Sequence, residues 1–477
     1  MKVITRPTRR QILRGGAATA TVATLGLAAP ALVRAQPTPV IRKPAHELSH
    51  GDPEVEALKT AINVLKNIPN HHPAHWSQMA RYHAQLCGPS SGELDFRAEI
   101  HFTWWFLPWH RAYLGVVEHI LQIAAQDATL GLPYWDWVRH PEVPDIFTGD
   151  PAENPLAHGA RNIGVAGGSD DWLALTSADE AGIVGASDFN VFGGGPVIVD
   201  PATGQASLSQ AGALDRGLHG LGHVFVGGDM GDFRTAGQDP LFYCHHANVD
   251  RMWEVWRNAA APTLPRNDPA DDIWRDRRFA FQEVNGGALV AQSGDMVDTT
   301  EIRYERFSVA GDQELLHRYQ YEKVTLDNDE IVVAGGPLPE TGGIFETRVV
   351  DGELAISERP VTVAVSSALP EAPGFSPDSG FRFVALLEGV SVPRGSAQIL
   401  VNVTADDKST LAERISLLPF LSEEDTTATR INFEVDITSA MREVGGTLST
   451  INVELRLAGA ASGQVLAVDT VSLTRRR

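Results

Sequence analysis

Apolar residues at 55, 58, 62 and 65 recur with a helical period between Pro53 and Ile68, and Pro53 suits the first turn of a helix. A loop with His71, His72 and Pro73 leads to a second helical run from Trp76 to Leu86, broken by Gly88, Pro89, Ser90, Ser91 and Gly92. Pro108 can open a third helix, whose apolar face is set by positions 113, 116, 117, 120, 121 and 124. Residues 140 to 212 are rich in Gly, Pro, Asp and Ala without periodicity and read as long surface loops. A helical pattern returns at Val249, Met252, Trp253, Val255 and Trp256, then fades from Pro262 to Asp272 into a mixed segment reaching about Val333.

From Phe345 the period drops to two. Short strands are expected at Val361 to Val365, Phe381 to Leu387, Gln398 to Val403, Arg430 to Ile437, Ile451 to Leu457 and Val465 to Leu473, a spacing that suits a small β-sandwich. The glycines and prolines from Gly335 to Gly343 look like an interdomain linker. The expected organisation is therefore a segment to be removed at 1–35, a helical domain at 36–334, a linker at 335–344 and a β-sandwich at 345–477. There is no internal repeat.

Composition narrows this picture. A chain of 477 residues, 43% hydrophobic, can bury two or three ordinary cores. Its 60 acidic against 39 basic residues, a formal charge of -21, argue against nucleic acid or an anionic membrane as partner. Two cysteines, Cys87 and Cys244, exclude a disulfide framework and a cysteine-rich zinc module. At the amino terminus, Thr8-Arg9-Arg10-Gln11-Ile12-Leu13-Arg14 precedes an apolar run from Gly15 to Val33 and a small-residue site ending at Ala35. This reads as a twin-arginine export signal cleaved after Ala35, placing the mature protein in the periplasm or outside the cell. A membrane anchor is the alternative, but a run dominated by Ala, Gly and Thr lacks the bulky apolar residues of a stable span.

The chemistry lies in the histidines. His219 and His223, four residues apart, share one helix face, and the run Asp239 to Trp253 carries the tandem His245-His246. The helical pair alone would be read as core histidines, but a tandem pair close downstream points to a metal. His83, His101 and His110 could form a second trio. Imidazole suits copper, zinc, iron and nickel; the lack of carboxylate or thiolate ligands disfavours most iron and magnesium chemistry, and two zincs usually share a bridging carboxylate. Aromatic density around Pro133-Tyr134-Trp135-Asp136-Trp137 indicates a tight core that could also wall a pocket for a flat substrate.

HFTWWFLPWHR with His101 and His110, His219-(three)-His223, and DPLFYCHHANVDRMW together resemble the type-3 copper proteins, specifically the plant-like polyphenol oxidases (catechol oxidase and tyrosinase), here in an exported bacterial form. The likeness is strong over roughly 75 to 257. Tyr319-Gln320-Tyr321 resembles the motif closing that family's catalytic domain, and the β-rich tail resembles its shielding domain. The resemblance implies a mainly α fold, a four-helix bundle holding two copper ions followed by a β-sandwich. It implies His83, His101 and His110 on one copper and His219, His223 and His246 on the other, with His245 as a supporting neighbour.

Further roles follow from the same resemblance. Phe233 matches a gate residue over the first copper, against a plain reading as core filler. Asp215 stands where the family has a water-orienting glutamate, and its shorter side chain is a departure. Gly220 stands where a side chain assisting phenol deprotonation would be. Asn248 and Asp250 are expected to fix imidazole tautomers. Arg251 either pairs with a carboxylate or is purely structural. Cys87 matches a cysteine joined by a thioether to His101, the alternatives being a free thiol or a Cys87–Cys244 disulfide.

The implied function is oxidation of o-diphenols to o-quinones with dioxygen reduced to water, with weaker monophenol hydroxylation. The partners are then small phenols and dioxygen. Alternatives are a tyrosinase with full monophenolase activity, an o-aminophenol oxidase, and a hemocyanin-like oxygen-binding protein.

Overall fold

The computed structural model describes residues 39–86, 100–163, 177–199, 206–259, 266–284, 286–308, 311–324, 354–364, 382–391, 397–417, 430–445, 451–458 and 463–476. The expected export segment, the linker and Cys87 lie outside the described residues.

The first part is built on helices. α1 (Pro53–Asn67) starts with Pro53 in its first turn and Glu54 and Glu56 beside its amino end, where acidic groups complement the helix dipole. α2 (Trp76–Leu86) and α3 (Phe106–Ala125) follow, and α3 is buried along most of its length. The region read as structureless loops contains α4 (Ser177–Gly185), α5 (Phe189–Phe192) and the hairpin β2 (Val197–Val199) and β3 (Ala206–Leu208), elements too short or too glycine-rich to show a period. A π-helical turn, Asp215–His219, runs into α6 (Gly220–Val226). α7 (Pro240–Asn258) is capped by Asp239, whose carboxylate accepts the Leu241 N–H at 2.8 Å, with Pro240 in the first turn. A single turn, α8 (Asp272–Arg275), follows.

The mixed segment resolves into an antiparallel meander of β4 (Arg278–Gln282), β5 (Ala288–Gln292), β6 (Ile302–Ser308) and β7 (Gly311–His317). It packs on α3, where Tyr304 Oη donates to the Ala112 carbonyl at 2.9 Å. β1 (Val40–Arg42) pairs in parallel with β8 (Tyr319–Tyr321), joining the start of the described chain to the Tyr-x-Tyr motif.

That pairing delivers Arg42 into the interior. Its guanidinium reaches Glu118 of α3 at 3.0 Å and Asp250 of α7 at 3.1 Å and lies 3.6 Å over the Tyr319 ring. Asp250 also receives Arg111 Nε at 2.5 Å and the Tyr319 and Tyr321 hydroxyls at 2.5 and 2.6 Å, while Glu118 receives His317 at 2.7 Å. Buried charges are tolerable only when each is paired and hydrogen-bonded, and these are.

The tail is rich in sheet. Its strands are β9 (Leu354–Ile356), β10 (Val361–Ala364), β11 (Arg382–Ser391), β12 (Ala397–Ala405), β13 (Lys408–Leu417), β14 (Arg430–Asp436), β15 (Asn452–Ala458), β16 (Leu466–Val468) and β17 (Thr470–Arg476), with α9 (Thr438–Val444) between β14 and β15. They form a four-stranded sheet in the order β10-β15-β12-β13, a three-stranded sheet β14-β11-β17 and the pair β16-β9. All six expected strands are present, the last split into β16 and β17. β13 was not expected, because Lys408 and Ser409 are exposed, positions 410 to 414 are half-buried without alternation and only Ile415, Ser416 and Leu417 are fully buried. That buried end of β13 lies on the π-turn and α6, and Phe433 of β14 meets Phe102 edge to face at 6.4 Å. Among the described residues, no helix is long and apolar enough to cross a membrane.

Candidate metal centre

Five helical elements and the segment before α3 bring six imidazoles into one buried cluster. His83 comes from the last turn of α2, His110 from the start of α3, His219 from the end of the π-turn, His223 from α6 and His246 from α7; His101 precedes α3. In the first trio the ring centroids are 5.2 Å (His83–His101), 5.6 Å (His83–His110) and 5.2 Å (His101–His110) apart. In the second they are 4.6 Å (His219–His223), 4.9 Å (His219–His246) and 5.3 Å (His223–His246). The trios touch: His110 stacks on His246 at 4.2 Å and His101 on His219 at 5.6 Å.

The hydrogen bonds set the direction of the rings. The Nδ1–H groups of His83, His110, His219 and His223 donate to the carbonyls of Phe233, Phe106, Asp215 and Met230 at 2.7, 2.8, 3.0 and 2.7 Å. With the proton on Nδ1, each Nε2 presents a lone pair. Nε2 of His83, His110 and His219 is buried without a hydrogen-bond partner among the described residues. Nε2 of His223 lies 3.2 Å from Nε2 of His246. Buried acceptors aimed at one another are costly unless a cation lies among them, so this donor set fits metal ions. A ring nitrogen from each of His83, His101 and His110 lies within 4.8 Å of the others, and the same holds for His219, His223, His245 and His246. Burial pushes the imidazoles down, to about 3 for His83 and His219 and well below the ordinary value for the others, with neighbouring imidazoles adding to it in His83, His101, His110, His223 and His246. They are therefore neutral, as ligands must be.

Around the rings the expected residues have mixed outcomes. Phe233 is buried with its ring 4.3 Å from His101 and its carbonyl bonded to His83. Asp215 has both oxygens engaged: Oδ2 accepts the Phe102 N–H at 2.5 Å and Oδ1 lies 2.9 Å from His219 Nδ1. Burial raises its carboxyl to about 8 against the opposing effects of that N–H and Arg216. Phe102 has φ of 62°, a left-handed conformation unfavourable for a bulky residue, and the Asp215 bond holds this bend directly after His101. Gly220 has no room for a side chain, since a Cβ there would lie 2.7 Å from Ser416 Cβ of β13.

The expectation for Asn248 and Asp250 is corrected. Neither reaches an imidazole: Asn248 Oδ1 accepts from Arg251 at 3.2 Å, and Asp250 belongs to the Arg42 and Arg111 network. Backbone carbonyls take the tautomer-fixing role, those of Phe106 and Asp215 from one turn before His110 and His219 and those of Met230 and Phe233 from the segment after α6. Arg251 donates to the Lys323 carbonyl at 2.6 Å and comes within 3.9 Å of Asp136. Cys244 is a free buried thiol, which removes the disulfide alternative.

Arg42, Glu118, Gly222, Trp137 and Ser416 were not anticipated. Arg42 meets Glu118 76 residues away, Trp137 meets His245 108 residues away and Ser416 faces Gly220 across the fold, and only the unusual aromatic density marked Trp137 in advance.

The family model for the common central domain of tyrosinase matches residues 73–178 and 199–259. The chloroplastic polyphenol oxidase of Vitis vinifera is 32% identical over 274 residues, 52% of this chain and 44% of that protein. The latent form of the chloroplastic polyphenol oxidase of Prunus armeniaca is 31% identical over 313 residues, 59% and 48% respectively. The chain thus spans about half the length of the curated relatives it matches. Among solved structures, recombinantly expressed latent aurone synthase superposes with a TM-score of 0.65 at 21% identity, covering 92% of this chain and 91% of that one. A functional unit of octopus hemocyanin superposes with a TM-score of 0.54 at 15% identity, covering 91% and 99%. At those identities the likeness concerns the fold.

Proposed function

The chain belongs to the type-3 copper polyphenol oxidase family, and from that premise we propose that it oxidises o-diphenols to o-quinones at a pair of copper ions. The reading rests on two touching imidazole trios whose anchored Nδ1–H groups turn Nε2 lone pairs inward. His83, His101 and His110 would hold one ion and His219, His223 and His246 the other. When bound, the copper pair supplies the redox chemistry by which two o-diphenols give four electrons and four protons to one dioxygen, forming two o-quinones and two waters.

The protein's own contribution is positional. Carbonyls behind the rings of His83, His110, His219 and His223 keep those four imidazoles in one tautomer and orientation. The Phe233 ring offers an apolar face beside the first trio for an aromatic substrate. Glycine at 220 supplies no side chain to take a phenol proton, which favours diphenols over monophenols. Cys87 is assigned the thioether to His101, which would pin that ring.

The organisation belongs to the same reading. The helical part is a four-helix bundle over 36–334, joined by a linker at 335–344 to a β-sandwich over 345–477 that keeps the enzyme latent. Support comes from Ser416 against Gly220 and from the ion pair of Arg216 with Glu413 at 2.9 Å. The twin-arginine segment would export the folded, metal-loaded protein, with removal after Ala35. The word chloroplastic in the plant relatives' names describes those proteins.

An oxygen carrier is the second reading, favoured by the hemocyanin fold. Oxygen consumption with 4-tert-butylcatechol, before and after mild proteolysis of the copper-loaded chain, separates the two. Turnover that rises on proteolysis is expected. Reversible oxygen uptake without quinone formation in both samples would replace the enzyme by the carrier.

A further inference from the structure

Four imidazoles, not three, surround the second metal position, because a ring nitrogen of His245 lies within 4.8 Å of those of His219, His223 and His246. Consecutive helical residues point about 100° apart, so both members of the tandem can reach the cluster only if neighbouring elements make space. α6 makes it at Gly222, where a Cβ would stand 2.5 Å from His245 Cε1. His245 fills that space, stacked on His219 at 5.4 Å and edge-on to His223 at 4.7 Å. Such a ring could compete for the metal.

Its hydrogen bond prevents this. Trp137 Nε1–H donates to His245 Nδ1 at 2.8 Å, and both side chains are buried. An indole N–H can only donate, so Nδ1 must be the bare nitrogen and the single proton of this neutral ring must sit on Nε2. The Nδ1 lone pair is then spent on Trp137 and the protonated Nε2 has none to offer. His83, His110, His219 and His223 show the reverse tautomer, with Nδ1–H given to a carbonyl. The Trp137 loop cannot easily withdraw: Trp135 N–H donates to the Cys244 carbonyl at 3.1 Å and Trp135 Nε1–H to the His140 carbonyl at 2.8 Å.

We propose that Trp137 is a positioning residue that selects which tandem histidine binds metal, holding His245 in the non-ligating tautomer as a buttress for His219 and His223. The inference rests on the second trio being a metal site.

The test uses the full chain loaded with cobalt(II), whose visible absorption reports the ligand set without any turnover, beside metal content per chain. Trp137→Phe removes the donor and frees His245 to take the ligand tautomer, so the cobalt band is expected to shift and lose intensity as a fourth imidazole joins. Trp137→Phe combined with His245→Asn is expected to return the wild-type band, since Asn offers no ring nitrogen. An unchanged band in W137F, or the same altered band in both variants, overturns the proposal. A wild-type chain that binds fewer than two cobalt ions overturns the underlying metal reading and this one with it, a result distinct from a spectral failure. A second measurement needs no variant. In metal-free protein with isotope-labelled histidine, long-range nitrogen–proton correlations should place the His245 proton on Nε2 and those of His83, His110, His219 and His223 on Nδ1; a proton on His245 Nδ1 overturns it.

Discussion

Gly220 shows how much one missing side chain can carry. It follows His219, its own backbone is ordinary helix, and its constraint comes from Ser416 of the tail. Gly220→Asn should therefore act twice in the full chain. Overpacking against backbone-anchored Ser416 is expected to cost roughly 1–3 kcal/mol, and the cheapest relief is for β13 to lift from α6. In the functional reading, unprocessed G220N loaded with copper should consume oxygen with a catechol faster than the unprocessed wild type. Equal rates would mean that the tail accommodates the side chain without moving. Asp215 shows the opposite economy, one short carboxylate serving Phe102 N–H and His219 together.

Among the elements, β1 and β8 are joined to the helices by charge. Burial alone would raise the Glu118 carboxyl, but Arg42 and the hydrogen bond from His317 outweigh it and bring it to about 2. Its folded value lies below the ordinary 4.5, so its stabilising contribution is present above that pH and is lost as pH falls from 4.5 through about 2. The loss is expected to reach on the order of 3 kcal/mol at most. Urea midpoints measured at a series of acid pH values should fall more steeply for wild type than for Glu118→Gln, and parallel curves would assign acid lability elsewhere.

At the scale of the whole molecule, an ion pair ties the tail to the metal centre. Arg216, on the π-turn between Asp215 and His219, makes a two-pronged contact with Glu413 of β13 at 2.9 and 3.3 Å, and Arg216 is almost fully buried. Breaking such a pair on one side takes a charged partner from a nearly buried guanidinium, and because Glu413 is partly exposed the cost is expected to stay below the roughly 3–5 kcal/mol of a fully buried pair. Glu413→Arg alone should speed proteolytic removal of the tail from the native chain, and the double exchange with Arg216→Glu should slow it again toward wild type. Identical cleavage rates for single and double variants would show that the pair does not hold the tail.

Local pattern was enough for part of the helical frame. Apolar periodicity marks α1, with Pro53 in its first turn, and the second half of α7, and the Trp76 to Leu86 run coincides with α2. The second histidine set was visible because His219 and His223 stand at helical spacing with a tandem pair downstream, whereas His83, His101 and His110, 18 and 9 residues apart, were legible only through the resemblance of their motifs. β13 was hidden, since a strand that passes from two exposed residues through five half-buried ones to three buried ones has no period-two signature. Hidden too were the contacts between distant residues. That the Phe233 carbonyl stands behind His83, that Asp250 serves arginines and tyrosines, that Trp137 claims His245 and that Ser416 fills the space at Gly220 all depend on elements brought together only by packing. Residue identity and spacing are local properties, so the sequence determined that six histidines could gather. The direction, tautomer and surroundings of each ring are set across the fold, and only the tertiary structure decided them.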